Sequence, residues 1–462
     1  PRRSSLDIRL LPASNCAVCH GMEEPPEKRQ RCGTNGWSGF GSGQAERCAG
    51  KVKILAKVAD ATGSAAQPNE AIACGIGYLD HMLDQLNSHG QLRVSVQAWL
   101  GGEKVSPHSN DAYTTSCDHE VASSVGSALG AAVKEMLQSR SSEGSFRFLV
   151  PLDEALTDLS LTFPAVGAEA LPSEVSLAPF GKFPPAGRTR IGSFRTCLTE
   201  VVLQNFAKAL NVCLTVKKLR GDNAHHIVEA TFKSLARCLR CALDAFLQLD
   251  LRHALPAVPR ETCKQRGTKE TNIDISLNLD APPESLGSIS TGLSTLDALL
   301  RKISTFRIHA KCSGDVWIDE HHSTEDVMIT VGQALHVALG SKAGCCRMAW
   351  AEAHSGAAKV LCVMDLSNRP GFCCDLRWHG QQEEMAEDVS VEMLHHCFES
   401  FVINAQMTVH LVQVLPAQHD KEASAMELAM AGAEAMGAAL KQCVLIDPRR
   451  AGVTASSKGT LS

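Results

Sequence analysis

Aromatic side chains are scarce in this chain: two tyrosines, five tryptophans and fourteen phenylalanines among 462 residues. Any core must therefore be aliphatic and alanine-rich, and 44% hydrophobic residues are enough to build one. No apolar run reaches the roughly 20 residues that a membrane-spanning helix needs. The most apolar late segment, 425–446, is interrupted by Glu427, Glu434 and Lys441. Charge of one sign is not in excess either, since 45 Lys and Arg face 50 Asp and Glu, a net −5. A nucleic-acid surface would need a basic stripe, and none is present. Neither a membrane nor a nucleic acid is an expected partner.

Cysteine, by contrast, is abundant: nineteen residues, some adjacent, as in Cys345-Cys346 and Cys373-Cys374. A chain of this length does not need disulfide staples. The thiols read as mostly buried and reduced, those of a soluble intracellular protein. CAVCH at 16–20 matches the haem-attachment pattern, but its polar Pro- and Gly-containing surroundings offer no helix and no axial partner. CLRC at 238–241 lies in a helical pattern and reads as packing. Residues 1–46 show no hydrophobic periodicity and read as a disordered leader. The Arg and Ser content of its first 20 residues suits an organelle transit segment, which leaves plastid and cytoplasm both open.

One unit recurs. GIGYLDHML (75–83) resembles GLSTLDALL (292–300), VGSAL (125–129) resembles VGQAL (331–335), and Val52 to Asp60 occupies the place of ISLNLD (275–280). This period is too long for a solenoid. The chain therefore reads as two diverged copies, 47–258 and 266–462, with 259–265 as a linker. Strand-like runs such as LRVSVQAWL (92–100) and FRIHAKC (306–312) alternate with helical patterns in each copy. In 225–247, Ile227, Ala230, Phe232, Leu235, Leu239 and Leu243 form a helical stripe. The fold class is α+β, with sheet and helices in separate layers.

The copies have lost different chemistry. HHSTED (321–326) faces Thr115, Ser116 and His119 in copy 1. HHIVEATFK (225–233) faces DKEASAMEL (420–428) in copy 2. LDHMLDQLNSHG carries His81 and His89, whereas LDALLRKIS has Ala298 for the first and lacks the second. Conversely, Glu270 of TKET faces Ala49, and His410 faces Thr215. Residues on a helix turn by about 100° each. His321 and Glu325, at i and i+4, therefore share a face and can grip one metal, while His322 points toward another centre. His225, His226 and Glu229 repeat the arrangement. Two such helices facing each other would supply two metals, and mixed imidazole and carboxylate ligation suits Mn²⁺ or Fe²⁺ and tolerates Zn²⁺. HHCFE (395–399) has the same letters without a counterpart in copy 1, and reads as a packed helix face.

At these residues the sequence resembles the imidazoleglycerol-phosphate dehydratase family. The resemblance rests on TKETNIDISLNLD, GIGYLDHMLDQLNSHG, IDEHHSTEDV with GQAL, VPLDEAL, DLSNRPG, GDNAHHIVEATFKSLAR and SSKGTL. It implies two tandem units, each a pair of α/β halves with four-stranded sheets and helices on one face, a ribosomal protein S5 domain 2-like arrangement. It also implies conversion of imidazole glycerol phosphate to imidazole acetol phosphate in histidine biosynthesis, with two Mn²⁺ per site and the substrate held as an imidazolate. Sites in the family form between subunits of a 24-unit shell, which twelve chains of this kind would supply as a homo-oligomer.

Carried over by position, the resemblance makes His81, His225, His226, Glu229, His321, His322, Glu325 and His410 metal ligands. Glu270 becomes the proton-transfer group, and Gln85 and His89 substrate contacts or supports. Arg347, Arg369, Lys233, Ser456 and Lys458 would hold the phosphate. Copy 2 reads AHSGAA in place of VPLDEAL, and copy 1 lacks the NRPG arginine and the closing lysine-glycine tail. One complete site per chain is expected. The alternative is a metal-binding pseudoenzyme or assembly subunit of the same family.

Overall fold

A computed structural model describes residues 41–61, 71–107, 117–137, 143–183, 187–248, 255–256, 258–281, 287–378, 384–414, 422–450, 452–456 and 461. CAVCH and Lys458 lie outside the described residues, as do Thr115 and Ser116. The chain divides into two compact units at residues 251 and 252.

The N-terminal unit contains β1 (Ser42–Ala49), β2 (Val52–Asp60), β3 (Ile72–Ala73), α1 (Gly77–Gly90), β4 (Leu92–Leu100) and α2 (Asp118–Leu137). There follow β5 (Gly144–Leu152), β6 (Ala155–Phe163), β7 (Glu174–Ser176), α3 (Leu198–Leu210), β8 (Cys213–Arg220) and α4 (Ala224–Phe246). Its two main sheets run β1-β2-β4-β3 and β5-β6-β8-β7. In each, the first three strands pair antiparallel and the short edge strand joins in parallel.

The C-terminal unit repeats this order. Its elements are β9 (Glu261–Gly267), β10 (Thr271–Asn278), β11 (Ile289–Ser290), α5 (Ser294–Ile303), β12 (Arg307–Gly314) and α6 (His321–Leu339). Its second half has β13 (Met348–Ser355), β14 (Ala358–Asp365), β15 (Gly371–Cys374), α7 (Val391–Asn404), β16 (Thr408–Gln413) and α8 (Ala425–Val444). The sheets run β9-β10-β12-β11 and β13-β14-β16-β15. Two-residue ladders elsewhere are left unlabelled. One half, two strands then a short strand, helix, strand and helix, thus occurs four times.

The physical reason for the layering is visible strand by strand. β2 alternates buried and half-buried residues along its whole length, so one face points to a core. The second helix of each half lies on its own sheet: α2 on β1 and β2, α4 on β5 and β6, α6 on β9 and β10, α8 on β13 and β14. The first helix of each half packs on the second helix of its partner half, giving α1 with α4, α2 with α3, α5 with α8 and α6 with α7. Helices therefore lie between the two sheets of a unit. The cores are aliphatic, as the shortage of aromatics predicts: Ile273, Ile275, Leu296, Leu299, Leu300, Val327 and Leu335 are buried in one of them. Each such side chain contributes roughly 1.5–3 kcal/mol on burial.

Two boundaries need correcting. Residues 42–46, read as leader, belong to β1, and 261–265, read as linker, belong to β9. Both are edge strands with mostly exposed, polar side chains, so the alternation that marks a strand in sequence is absent. The stripe in 225–247 is a helix, and all six of its named residues are buried. α5 is ten residues long against fourteen for α1, which accounts for the missing second histidine.

Candidate metal centres

In the N-terminal unit the start of α4 is shaped by GDNAHH. Gly221 has φ +146°, and a Cβ there would lie 2.6 Å from the Ile227 side chain. Asn223 caps the helix, its side-chain oxygen accepting from the His225 amide at 2.9 Å. Glu154, in the turn between β5 and β6, accepts from the Asp222 and Asn223 amides at 3.2 and 2.8 Å. This fixes the first turn, from which His225, His226 and Glu229 project.

His225 Nε2 lies 3.1 Å from Glu229 Oε2. The other oxygen of Glu229 pairs with Lys233 Nζ at 2.8 Å. α1 brings His81 to the same point, its ring centroid 6.1 Å from that of His225. His81, His225 and Glu229 can each present a ligand atom within 4.8 Å of the others. Tyr78 lies edge-on to His225 and donates to its carbonyl at 3.2 Å. Burial pushes the His81 imidazole below its ordinary value, against the pull of Glu229. Burial alone would raise Glu229, but the His225 hydrogen bond and the Lys233 charge hold it well below the carboxylate range. A neutral imidazole and an ionised carboxylate are the forms that bind a metal.

The C-terminal unit has its own trio: His321, Glu325 and His396. Glu325 Oε1 lies 3.1 Å from His396 Nε2 and Glu325 Oε2 lies 3.7 Å from His321 Nε2. His396 comes from HHCFE on α7, the string read as mere packing. Cys397 and Phe398 do pack, fully buried, while half-buried His396 on the adjoining face reaches α6. Glu320 helps align the two helices, accepting from the amide of Ser390, the α7 N-cap, at 2.9 Å. The signal was present in the sequence, as a third histidine pair with an acid three residues on.

The remaining sequence candidates divide. His226 faces Glu154, Nδ1 to Oε2 at 2.7 Å, with Asp153 at 3.6 Å from Nε2. His322 Nδ1 faces Asp315 at 3.1 Å, and that carboxylate lifts the imidazole above its ordinary value. Glu270 is exposed at the same end of α6; its carbonyl accepts from the Asp315 amide at 3.1 Å. His410 belongs to neither trio: it is fully buried on β16, beside Val363 and Cys373 in the sheet. Gln85 and His89 are buried within α1, and Gln85 donates to the His81 carbonyl at 3.1 Å. Both stand inside the helix layer.

Two phosphate candidates also read differently. Arg347 is 5% exposed and meets Asp365 through Nε and Nη2 at 2.7 and 2.9 Å, while Nη1 donates to the Ala455 carbonyl. Lys233 is buried against Glu229. Both cations already serve protein carboxylates. Arg369 is exposed and Ser456 half-buried. The pairing of HHIVE with DKEASAMEL also shifts: the caps Asn223 and Ser424 correspond, which sets Met426 and Glu427 opposite the two histidines. No further cluster of this kind occurs among the described residues, and among them the cysteines are free thiols.

Two α+β units, each with a histidine–carboxylate trio between two helices, define a tandem protein with two candidate metal centres. A family model described as Imidazoleglycerol-phosphate dehydratase matches residues 74–239 and 291–440. The imidazoleglycerol-phosphate dehydratase of Acidithiobacillus ferrooxidans is 36% identical over 207 residues, covering 44% of this chain and 98% of that protein. The Neurospora crassa enzyme is 34% identical over 230 residues, covering 44% and 96%. A crystal structure from Pyrococcus furiosus is 25% identical, with a TM-score of 0.34, and covers 43% of this chain and 99% of its own. The chain belongs to the imidazoleglycerol-phosphate dehydratase family, whose members are hydro-lyases of histidine biosynthesis. One complete relative spans about half of it. No helix among the described residues is long and apolar enough to cross a membrane.

Proposed function

We propose that the chain dehydrates imidazole glycerol phosphate at a dinuclear centre to which each unit contributes one trio. The observation that carries this reading is the pair of trios, His81–His225–Glu229 and His321–Glu325–His396, each with two nitrogens and one carboxylate. That donor set fits Mn²⁺ and leaves room for other divalent transition metals. When bound, the ions supply Lewis-acid charge. His226 and His322 add a nitrogen each. Glu270, an exposed carboxylate at the end of α6 that carries His321 and His322, takes the carbon-bound proton as the neighbouring hydroxyl leaves, and proton and hydroxyl depart together as water. Arg369, Ser456 and Lys458 are the cations and hydroxyl left to bind phosphate, since Arg347 and Lys233 are engaged. The functional particle is a homo-oligomer, twelve chains giving 24 units.

The test joins metal analysis to turnover. The unaltered protein should hold about two Mn²⁺ per chain and form imidazole acetol phosphate. His225→Ala and His396→Ala should each lose about one ion and abolish product. Turnover that survives either change refutes the shared centre. Two ions bound without product would favour the second reading, a metal-binding pseudoenzyme, which the engagement of Arg347 and Lys233 supports. Native mass with and without Mn²⁺ tests the assembly.

A further inference from the structure

The second histidine of each HH pair is held in the same way by an unrelated carboxylate. In the N-terminal unit, Glu154 Oε2 lies 2.7 Å from His226 Nδ1. In the C-terminal unit, Asp315 Oδ2 lies 3.1 Å from His322 Nδ1. The carboxylates come from different places in the fold. Glu154 sits in the turn between the first two strands of its half, whereas Asp315 directly follows β12 and precedes α6. Each is itself anchored. Glu154 holds two backbone amides with its other oxygen. Asp315 is 5% exposed, donates its amide to Glu270 and accepts from the Ile318 amide at 2.7 Å.

We infer that Glu154 and Asp315 are positioning residues that fix the tautomer and ring direction of His226 and His322. A carboxylate accepts but cannot donate. A neutral imidazole facing it must therefore carry its proton on Nδ1, which turns the Nε2 lone pair toward a ligand; at His226 the Asp153 carboxylate stands 3.6 Å from Nε2, beyond hydrogen-bond reach. That two unlike carboxylates produce the same orientation, each opposite a His-His pair, separates this arrangement from a chance surface ion pair. The sequence comparison shows why it was missed. VPLDEAL is absent from the C-terminal unit as a string, yet a carboxylate facing the second histidine is supplied there by Asp315. The inference rests on the proposed metal-binding role of His226 and His322, but its central test does not.

The test is ¹⁵N NMR of histidine-labelled metal-free protein at about pH 8.5, where ordinary imidazoles are neutral. His226 and His322 should appear as the Nδ1–H tautomer. Glu154→Ala should release His226 alone, and Asp315→Ala His322 alone, toward the Nε2–H form. Glu154→Gln, which keeps an acceptor oxygen and can keep the shape of the turn, should retain the native tautomer. Mn²⁺ titration of the Ala variants should show roughly 10–100-fold weaker binding. Nε2–H signals in the unaltered protein, or Nδ1–H signals that survive both Ala changes, would overturn the assignment. The predicted tautomers without any Mn²⁺ binding would uphold it and refute the metal-centre reading instead.

Discussion

Arg347 offers the sharpest separation between a structural and a substrate-binding role. Its guanidinium and the Asp365 carboxylate are both almost wholly buried, 5% and 1% exposed. They meet through two parallel hydrogen bonds at 2.7 and 2.9 Å, the strong bidentate form. Arg347→Ala would leave Asp365 as a buried charge without its partner, which costs about 3–5 kcal/mol. Arg347 has φ +73°, a strain of order 1 kcal/mol for a residue with a Cβ. Arg347→Gly should therefore be about 1 kcal/mol less harmful than Arg347→Ala, which separates the backbone strain from the loss of the ion pair. Urea unfolding can be followed by Trp350 and Trp378, both buried in this unit. With a slope of ~2–3 kcal/mol/M, the midpoint should fall by about 1–2 M. Asp365→Asn should fall comparably, and pairing it with Arg347→Met should give much less than the sum of the two losses. An unchanged midpoint with a raised KM for the phosphorylated substrate would refute this reasoning and return Arg347 to the phosphate site.

Two further expectations concern pH. Burial, opposed by Asp365 and reinforced by Arg347, lowers the Lys342 amine from 10.5 to about 8, while it donates to the Gln406 carbonyl at 3.2 Å. Between about pH 8 and 10.5 the unfolded chain holds a proton that the folded chain has released. Stability should therefore rise with pH across that window, by an amount on the order of 2 kcal/mol; Lys342→Met should flatten the rise, and parallel urea curves for the two proteins would exclude it. Asp388 accepts from the Ser294 hydroxyl and the Thr295 amide at 2.8 and 2.9 Å. Burial would raise its carboxyl, but these bonds bring it down to about 2. Its contribution is complete above the ordinary value of 3.8 and lost as pH falls toward 2. Asp388→Asn should cost about 1 kcal/mol at neutral pH and remove that acid-side slope in thermal melts; an unchanged acid midpoint would count against this role for Asp388 at the first turn of α5.

Much of this was legible in the sequence, because the strongest signals are local. β2, β4 and α4 show their periods directly, and the HH-x-x-E spacing places nitrogens and carboxylate on one helical face. The edge strands β1 and β9 were not legible, since their half-buried positions carry residues such as Ala45, Thr262 and Lys264 rather than large apolar side chains. His396 was not credited because its neighbours Cys397 and Phe398 satisfy a packing pattern; only the α6–α7 contact shows that the adjoining face meets Glu325. Arg347 was ambiguous for a different reason: a guanidinium looks the same in sequence whether its partner is substrate or Asp365.

The unequal loss of ligands between the units has a physical basis in how the helix pairs are held. Close contacts lie along the helix bodies: Gly126 and Gly130 of α2 approach the carbonyls of Val202 and Phe206, Gly332 of α6 that of Phe401, and Gly437 of α8 that of Lys302. A Cβ at any of these glycines would lie within 2.6 Å of the facing oxygen, so these positions are tied to the fold. The candidate ligand histidines sit instead near helix starts, with half-buried or exposed rings. Where they are missing, other groups secure the same end. Ser424 and Glu427 form a capping box on α8, and Asp118 at the start of α2 pairs with Arg195. A trio can therefore disappear from one helix pair without disturbing the packing beneath it.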